Sequence, residues 1–140
     1  MMKNLNLLAI FVTLVILPTS SAIAEDEPVE QSAPTVHYLE LKPGIIANYG
    51  SENGKPKLLN ADITLQITDG DQAAEIKKFL IPVRHDLIML FSNLKSDEAD
   101  SGEQVEALRA KALETVHASL GEWMKDVHVD DLLFTKFVTE

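Results

Sequence analysis

Residues 58–68, LLNADITLQIT, decide the fold of this chain. Apolar and polar side chains alternate strictly there: Leu59, Ala61, Ile63, Leu65 and Ile67 against Asn60, Asp62, Thr64, Gln66 and Thr68. Because successive side chains of a strand point to opposite faces, this alternation predicts a strand with one buried face and one wet face. We therefore expect an antiparallel or mixed sheet that is covered on one side, and we expect helices to supply the cover.

Two shorter strands are predicted ahead of it. Thr35–Leu41 is rich in β-branched and aromatic residues and stops at the turn residues 42–44, KPG, after which the run 45–47, IIA, continues the sheet. The polar loop 50–56 follows, and its Asn53-Gly54 dipeptide is typical of a hairpin turn because both residues tolerate positive φ. The sequence thus predicts three strands in succession.

Between Asp71 and Leu94 the spacing of apolar residues changes to that of an amphipathic helix. Pro82 lies inside this helix and removes one main-chain hydrogen bond, so the pattern predicts a mild bend, with two helices meeting there as the alternative and Pro82 in the first turn of the second. The apolar positions recur at three- and four-residue steps: Ile76, Phe79 with Leu80, Val83, Leu87, Phe91 and Leu94.

A second long helix is predicted after the polar break 95–102. Ser101 and Gln104 have the S-x-x-Q spacing of a capping box, which places the start of the helix, and the apolar stripe carries it to about Met124. Trp123 ends that stripe and is predicted to lie in the core. The other apolar positions are Val105, Leu108, Ala112, Val116 and Leu120.

The C-terminal run 127–138, VHVDDLLFTKFV, returns to strand composition. Its apolar residues are too dense for an exposed edge, so we expect this strand inside the sheet. The predicted fold class is therefore α+β, with an antiparallel or mixed sheet of three to four strands, two long helices on one face, and the order β-β-β-α-α-β.

Residues 1–24 have the features of a secretory signal. Lys3 supplies the positive start, residues 7–17 form an uninterrupted apolar run, and Ala22-Ile23-Ala24 is an A-x-A cleavage site. The run of eleven residues is shorter than the roughly 20 that a spanning helix needs, so cleavage is favoured and membrane association would follow only from an uncleaved segment. Residues 25–34 are predicted to be a disordered acidic linker, and residues 35–140 the folded domain.

Composition limits the partners of the exported part. Residues 25–140 carry eleven Lys and Arg against twenty-two Asp and Glu, a net charge of −11, which disfavours nucleic acid and anionic lipid headgroups and fits either solubility or a basic partner. The chain has no cysteine, which excludes disulfides, thiolate nucleophiles and cysteine metal sites.

The sequence has no visible catalytic apparatus, and we predict neither an enzyme nor a cofactor or metal site. None of the four histidines has a ligand spacing such as H-x-x-x-H, and His128 with Asp130 and Asp131 is the nearest approach to a ligand cluster. Arg84, next to His85 and Asp86, is expected on a solvated helix face, with Arg84 and Asp86 as a candidate contact to another subunit or partner.

Several segments resemble, in the same order, the FliL family of flagellar basal-body-associated proteins. The resemblance covers roughly residue 36 to the C-terminus and rests on the following segments: 38–43 (YLELKP), the turn at Asn48, 81–88 (IPVRHDLI), 108–111 (LRAK) and above all 133–138 (LFTKFV).

The FliL resemblance implies a stomatin/SPFH-like periplasmic domain without enzymatic activity. It further implies a homo-oligomeric ring around the flagellar stator that supports rotation, swarming or surface sensing. Members of the family usually keep an uncleaved transmembrane helix, whereas the apolar segment here is short and ends at Ala24. The alternative is therefore a soluble secreted binding or chaperone-like module with the same fold, unconnected to the flagellum.

Overall fold

Three strands come first along the chain, helices follow, and one strand comes last, and the helices are divided into more elements than the residue patterns predict. A computed structural model describes residues 34–51 and 54–140. Its elements are β1 (His37–Glu40), β2 (Ile45–Tyr49), β3 (Lys57–Ile67), α1 (Gly70–Ile76), a 3₁₀ helix (Lys77–Phe79), α2 (Leu80–Ser92), α3 (Gly102–Gly121) and β4 (Asp131–Thr139).

β3 is the central strand of a four-stranded antiparallel sheet. β1 and β2 both pair with the same edge of β3, β1 alongside its C-terminal half and β2 alongside its N-terminal half, while β4 pairs with the other edge. The α+β class and the antiparallel sheet predicted from residues 58–68 are thus confirmed.

The helices cover one face of the sheet, as predicted. The alternating apolar residues of β3 are buried in one core with residues of α2 and α3. α2 lies against β2, α3 lies against β4, and the two helices pack against each other. The helix residues in this core are Val83, Leu87 and Phe91 of α2, and Leu108, Ala112, Val116 and Leu120 of α3.

The first predicted helix is divided, and the mild bend at Pro82 is not observed. α1 ends at Ile76, a 3₁₀ turn follows, and α2 starts at Leu80, so that Pro82 is the third residue of a new helix. Proline is tolerated there because main-chain N–H groups in the first helical turn have no intrahelical acceptor. The two-helix alternative therefore describes this segment.

The expectation that the C-terminal strand lies inside the sheet is wrong. In the described part of the chain β4 pairs with β3 alone, which makes it an edge strand. Its apolar residues are accounted for by the helix layer, since Leu132 is fully buried and Phe134 contacts the ring of Phe91 at a centroid distance of 6.1 Å. A β-bulge at Thr135 and the exposed Lys136 interrupt the edge, as is common in edge strands.

The second long helix begins as predicted and ends earlier. Ser101 and Gln104 form the capping box, and α3 stops at Gly121 rather than near Met124. Trp123 therefore lies beyond the helix, and the prediction that it is a core residue is wrong: 59% of it is exposed, and its ring stacks on Phe79 at a centroid distance of 5.9 Å.

Some predictions concern residues outside the described part. These are the signal segment 1–24 with its cleavage site at Ala22 and Ala24, the acidic linker except Pro34, and Asn53 of the predicted hairpin. The neighbouring Gly54 is described and has φ +79°, the positive value that such a turn requires.

Candidate functional site

The edge of β3 that faces β1 and β2 has a gap in its middle. β1 ends opposite Thr64 and β2 begins opposite Ala61, so Asp62 and Ile63 lie where the chain leaves the sheet to turn. One hydrogen bond continues the pairing into the gap, from the N–H of Leu41 to the carbonyl of Ile63 at 2.9 Å. The turn 41–44 therefore stands beside β3 without completing the sheet.

The β-bulge disturbs the opposite edge of β3 at the same level. Asp62 faces Lys136 and Ile63 faces Phe134, which leaves Thr135 without a partner residue in the register. The Thr135 hydroxyl donates instead to the main-chain carbonyl of Asp62 at 3.2 Å. Both edges of β3 thus depart from regular pairing around Asp62.

A pocket lies between these two irregularities. Glu40, Asp62 and Thr64 face away from the helices, because Glu40 pairs with Thr64 and Asp62 precedes Thr64 by two residues on the same strand. The pocket has a volume of about 270 Å³ and is lined by Glu40, Leu41, Lys42, Gly44, Asp62, Ile63, Thr64 and Thr135.

The polar groups of this pocket are unequally satisfied. Lys42 forms an exposed ion pair with Glu40, which raises the pKa of Lys42, and the charge of Asp62 adds to that rise. The Asp62 carboxylate has no hydrogen bond or ion pair within residues 34–51 and 54–140. Thr64 is only 6% exposed, and its hydroxyl likewise has no partner in that part of the chain. The pocket therefore offers two oxygen-bearing groups that are free to bind.

Arg84 holds the rim of the pocket from the helix layer. Its guanidinium donates to the main-chain carbonyls of Pro43 and Gly44, each at 3.0 Å. Gly44 fits closely, since a Cβ at this position would collide with the Asp62 carboxylate. Arg84 thus has a role within the chain, and the contact to a partner predicted for Arg84 and Asp86 stays a prediction.

The face of the sheet that carries the pocket also exposes apolar side chains. Ile46 of β2 and Val138 of β4 flank Asn60 of β3 in the register, and Leu58 lies next to them on β3. Tyr38, on β1, is exposed at the other end of this face. We call Tyr38, Ile46, Leu58 and Val138 the open-face cluster, and such an uncovered apolar surface is typical of a contact region.

The histidines do not assemble a metal site. His128 lies 3.2 Å from Asp130, whereas Asp131 forms an ion pair with Arg109 on α3. His117 is engaged with the main chain of Val129. Over the described ranges, no group of three His, Asp or Glu side chains is arranged to hold a metal ion.

The residue patterns did not single out the pocket. Asp62 and Thr64 belong to the wet face of the predicted strand, and the turn at residues 42–44 was visible, but their meeting depends on the gap and the bulge. Strand register and bulges are tertiary features, which an alternating pattern alone does not specify.

In the ranges 34–51 and 54–140, none of the helices combines the length and the apolar character that crossing a bilayer requires. No curated protein matches the chain. The family model described as flagellar basal body-associated protein FliL matches residues 38–139. This range runs from the second residue of β1 to the last residue of β4 and spans well over half of the chain. The chain therefore belongs to the FliL family of flagellar basal body-associated proteins.

Proposed function

We propose that this protein acts without catalysis in the periplasm, where it associates with the flagellar stator or basal body and supports rotation and motility. The observation that carries the proposal is the family match, which includes every strand and helix from β1 to β4. The N-terminal segment 1–24 supports export, because its short apolar run and A-x-A site are those of a secretory signal. A stomatin/SPFH-like fold for residues 35–140 is part of the same proposal.

Self-assembly into a ring is the mode of action that we propose. The outer side of α2 supports it, because Ile81 is 84% exposed and Met89, two helical turns further on, is also exposed. Residues eight positions apart lie on the same side of a helix. Asp86 neighbours Met89 on the helix surface, because it precedes Met89 by three residues. This surface is separate from the open-face cluster, so a copy bound there leaves the sheet face free for another partner.

Motility tests the flagellar part of the proposal. Deletion of the gene is expected to reduce swarming and the torque of the motor under load, and the wild-type chain supplied in trans is expected to restore both. A deletion strain with unchanged swimming, swarming and torque would rule out the flagellar role.

Assembly is tested on the purified chain. Ile81→Asp places a charge in the exposed apolar surface of α2 and is expected to shift the sedimentation profile toward the monomer. Ala110→Asp on the exposed side of α3 is the matched control and is expected to leave the profile unchanged. Identical profiles for wild type and Ile81→Asp would remove α2 from the interface.

A soluble secreted binding or chaperone-like module is the second candidate. It is favoured by the apolar run 7–17, which is shorter than the roughly 20 residues that a membrane-spanning helix needs. Mass spectrometry of periplasmic and membrane fractions separates the two candidates. A mature chain that begins at Glu25 and occurs only in the soluble fraction favours the second, whereas an intact N-terminus in the membrane fraction favours the first.

A further inference from the structure

We propose that the pocket over Asp62 and Thr64 binds the guanidinium group of an arginine that a partner protein presents to the open face of the sheet. This inference rests on the proposed function as a binding protein and names the chemistry that its partner offers. The partner segment carries apolar residues beside the arginine, where they meet the open-face cluster.

The free polar groups of the pocket can accept hydrogen bonds, so a ligand that fits them carries hydrogen-bond donors. The Asp62 carboxylate accepts hydrogen bonds only, and the hydroxyl of Thr64, a residue that is 6% exposed and lines the pocket, has no partner in the described ranges. The Thr135 hydroxyl already donates to the Asp62 carbonyl at 3.2 Å, so its remaining capacity is that of an acceptor. A ligand with several N–H donors satisfies these groups together.

The size of the pocket favours a side chain over a free ligand. Its volume is about 270 Å³, whereas small-molecule sites have roughly 300–1,000 Å³ and bury most of their ligand. A single side chain can enter a space of this size while the rest of its segment lies on the surface around it. The exposed side chains of Ile46, Leu58 and Val138 provide that surface toward one end of the sheet.

A guanidinium matches the site better than an ammonium. Arginine presents five N–H donors in a planar fork and can bind a carboxylate through two parallel hydrogen bonds, while lysine acts as a point charge. One edge of the fork can face Asp62, which leaves donors on the other edge for Thr64. Arginine is also more weakly hydrated than lysine, so it loses less on leaving water.

Two lysines lie close to the pocket. Lys42 is paired with Glu40, and that pair is largely exposed, so it is weak and readily rearranged. Lys136 faces Asp62 across β3 and β4, although no ion pair within 4.0 Å joins them in the described ranges. Both lysines place positive charge near the site, and removing Lys136 is expected to strengthen the binding of an arginine.

The open face of the sheet is left for a different protein, because the proposed ring uses the α2 surface for contacts between copies. The net charge of −11 on residues 25–140 attracts a basic partner at long range. Apolar contacts around a central arginine fit the usual pattern of an interface, in which a few anchors are surrounded by groups that exclude water.

Peptide titration of the full-length chain followed by NMR tests the proposal. The probe is N-acetyl-Leu-Arg-Leu-amide, and the matched control contains citrulline, a neutral isostere of arginine. We expect saturable amide shifts centred on Asp62, Thr64 and Thr135, with affinity for the citrulline peptide lower by about tenfold because the charge-assisted hydrogen bonds are lost.

Single variants that are expected to change the affinity for the arginine peptide in opposite directions test the assigned roles. Asp62→Asn should lower the affinity for the arginine peptide by about tenfold and Thr64→Val by about threefold, whereas Lys136→Ala should raise it severalfold. Asp97→Asn, an exposed carboxylate outside the pocket, makes the same change of charge as Asp62→Asn and should leave the affinity unchanged. Thermal melts of each variant show whether it is folded, and Lys136→Ala remains informative if Asp62→Asn is unstable.

Several outcomes overturn the proposal. Equal affinity for the arginine peptide, the citrulline control and a third peptide with lysine in place of the arginine would exclude guanidinium recognition. Shifts at Asp62 and Thr64 on changing protein concentration alone would make a second copy the occupant. Either result leaves the flagellar role intact if deletion still impairs motility, whereas normal motility after deletion removes that role whatever the peptide does.

Discussion

The guanidinium of Arg84 on α2 donates to the main-chain carbonyl of Gly44, 3.0 Å away in the turn between β1 and β2. Gly44 lies against the Asp62 side chain, so this hydrogen bond connects the helix layer to the pocket on the opposite side of the sheet. The position of the turn thus depends on a helix residue, and Arg84 is a positioning residue for the pocket.

Replacement of Arg84 by alanine is expected to destabilise the fold by about 2 kcal/mol, because two hydrogen bonds from a charged group are lost. The measurement is urea unfolding. His85→Ala, at the exposed neighbouring position, is the control and is expected to change the unfolding free energy by less than about 0.5 kcal/mol. Equal losses for the two variants would contradict the role of Arg84 in holding the turn.

Trp123 is expected to behave as a surface residue. It is the only tryptophan of the chain, so its fluorescence is specific, and we expect acrylamide to quench it efficiently in the native state. Trp123→Ala should lower the free energy of unfolding by about 1 kcal/mol, because the stack on Phe79 is lost. Leu120→Ala, at a fully buried position, should lower it by about 2–5 kcal/mol. A blue-shifted native emission that resists acrylamide would disprove the exposed position of Trp123.

Much of the fold is encoded in local patterns. The alternation in residues 58–68 determines which face of β3 is buried, and Ser101 with Gln104 fixes the start of α3. These signals are predictive because side-chain direction and end capping depend on neighbouring residues only.

The failed predictions concern features that depend on distant residues. Apolar density in residues 127–138 indicates burial, but it does not say whether a neighbouring strand or a helix buries the strand. The bulge at Thr135 brings Phe134 and Phe137 to the same side, with ring centroids 5.0 Å apart, which breaks the simple alternation. Likewise, the apolar stripe of α3 continues to Trp123 in sequence, although the helix ends at Gly121. The pocket combines a bulge, a turn and a helix arginine, and no local pattern contains all three.

Two glycines with positive φ are expected to respond differently to replacement by alanine. Gly50 has φ +67° and Gly54 has φ +79°, so both substitutions strain the main chain by about 1 kcal/mol or more. At Gly50 the new Cβ would also lie 2.8 Å from the Cα of Ser96, whereas at Gly54 it would meet nothing within 4 Å. Because the main chain at Gly50 is tied to Leu94 by a hydrogen bond of 2.9 Å, it cannot move away freely.

Gly50→Ala should therefore be less stable than Gly54→Ala by about 1–3 kcal/mol, as measured by urea unfolding. Because the strain of positive φ is common to both variants, the difference between them reports the contact with Ser96. Equal stabilities would mean that β2 and the loop after α2 do not approach as closely as the structure has them.

Asp130 gives the stability of the protein a component that depends on pH. Hydrogen bonding from Thr68 lowers the pKa of Asp130 below its ordinary value of 3.8, and the charge of His128 adds to the effect, while burial opposes it. A carboxyl whose pKa is lower in the folded state stabilises the fold above its unfolded pKa, and this contribution is lost as the pH falls through the folded pKa. The contribution is thus complete near neutral pH, declines as the pH approaches 3.8 and is lost as the pH falls through the lower pKa of the folded state.

Asp130→Asn removes this titration, so the variant should lose less unfolding free energy than the wild type between pH 6 and about pH 3. Urea unfolding at a series of pH values measures the difference. Asp97→Asn makes the same charge change at an exposed position and should follow the wild-type profile. The Asp130→Asn profile should still slope downward, because the pKa values of Glu98 and Glu106 are also lowered, by a main-chain hydrogen bond at Lys95 and by Arg109 respectively. Parallel profiles for wild type and Asp130→Asn would show that the contact between Asp130 and Thr68, which ties the entry to β4 to the end of β3, does not stabilise the folded chain.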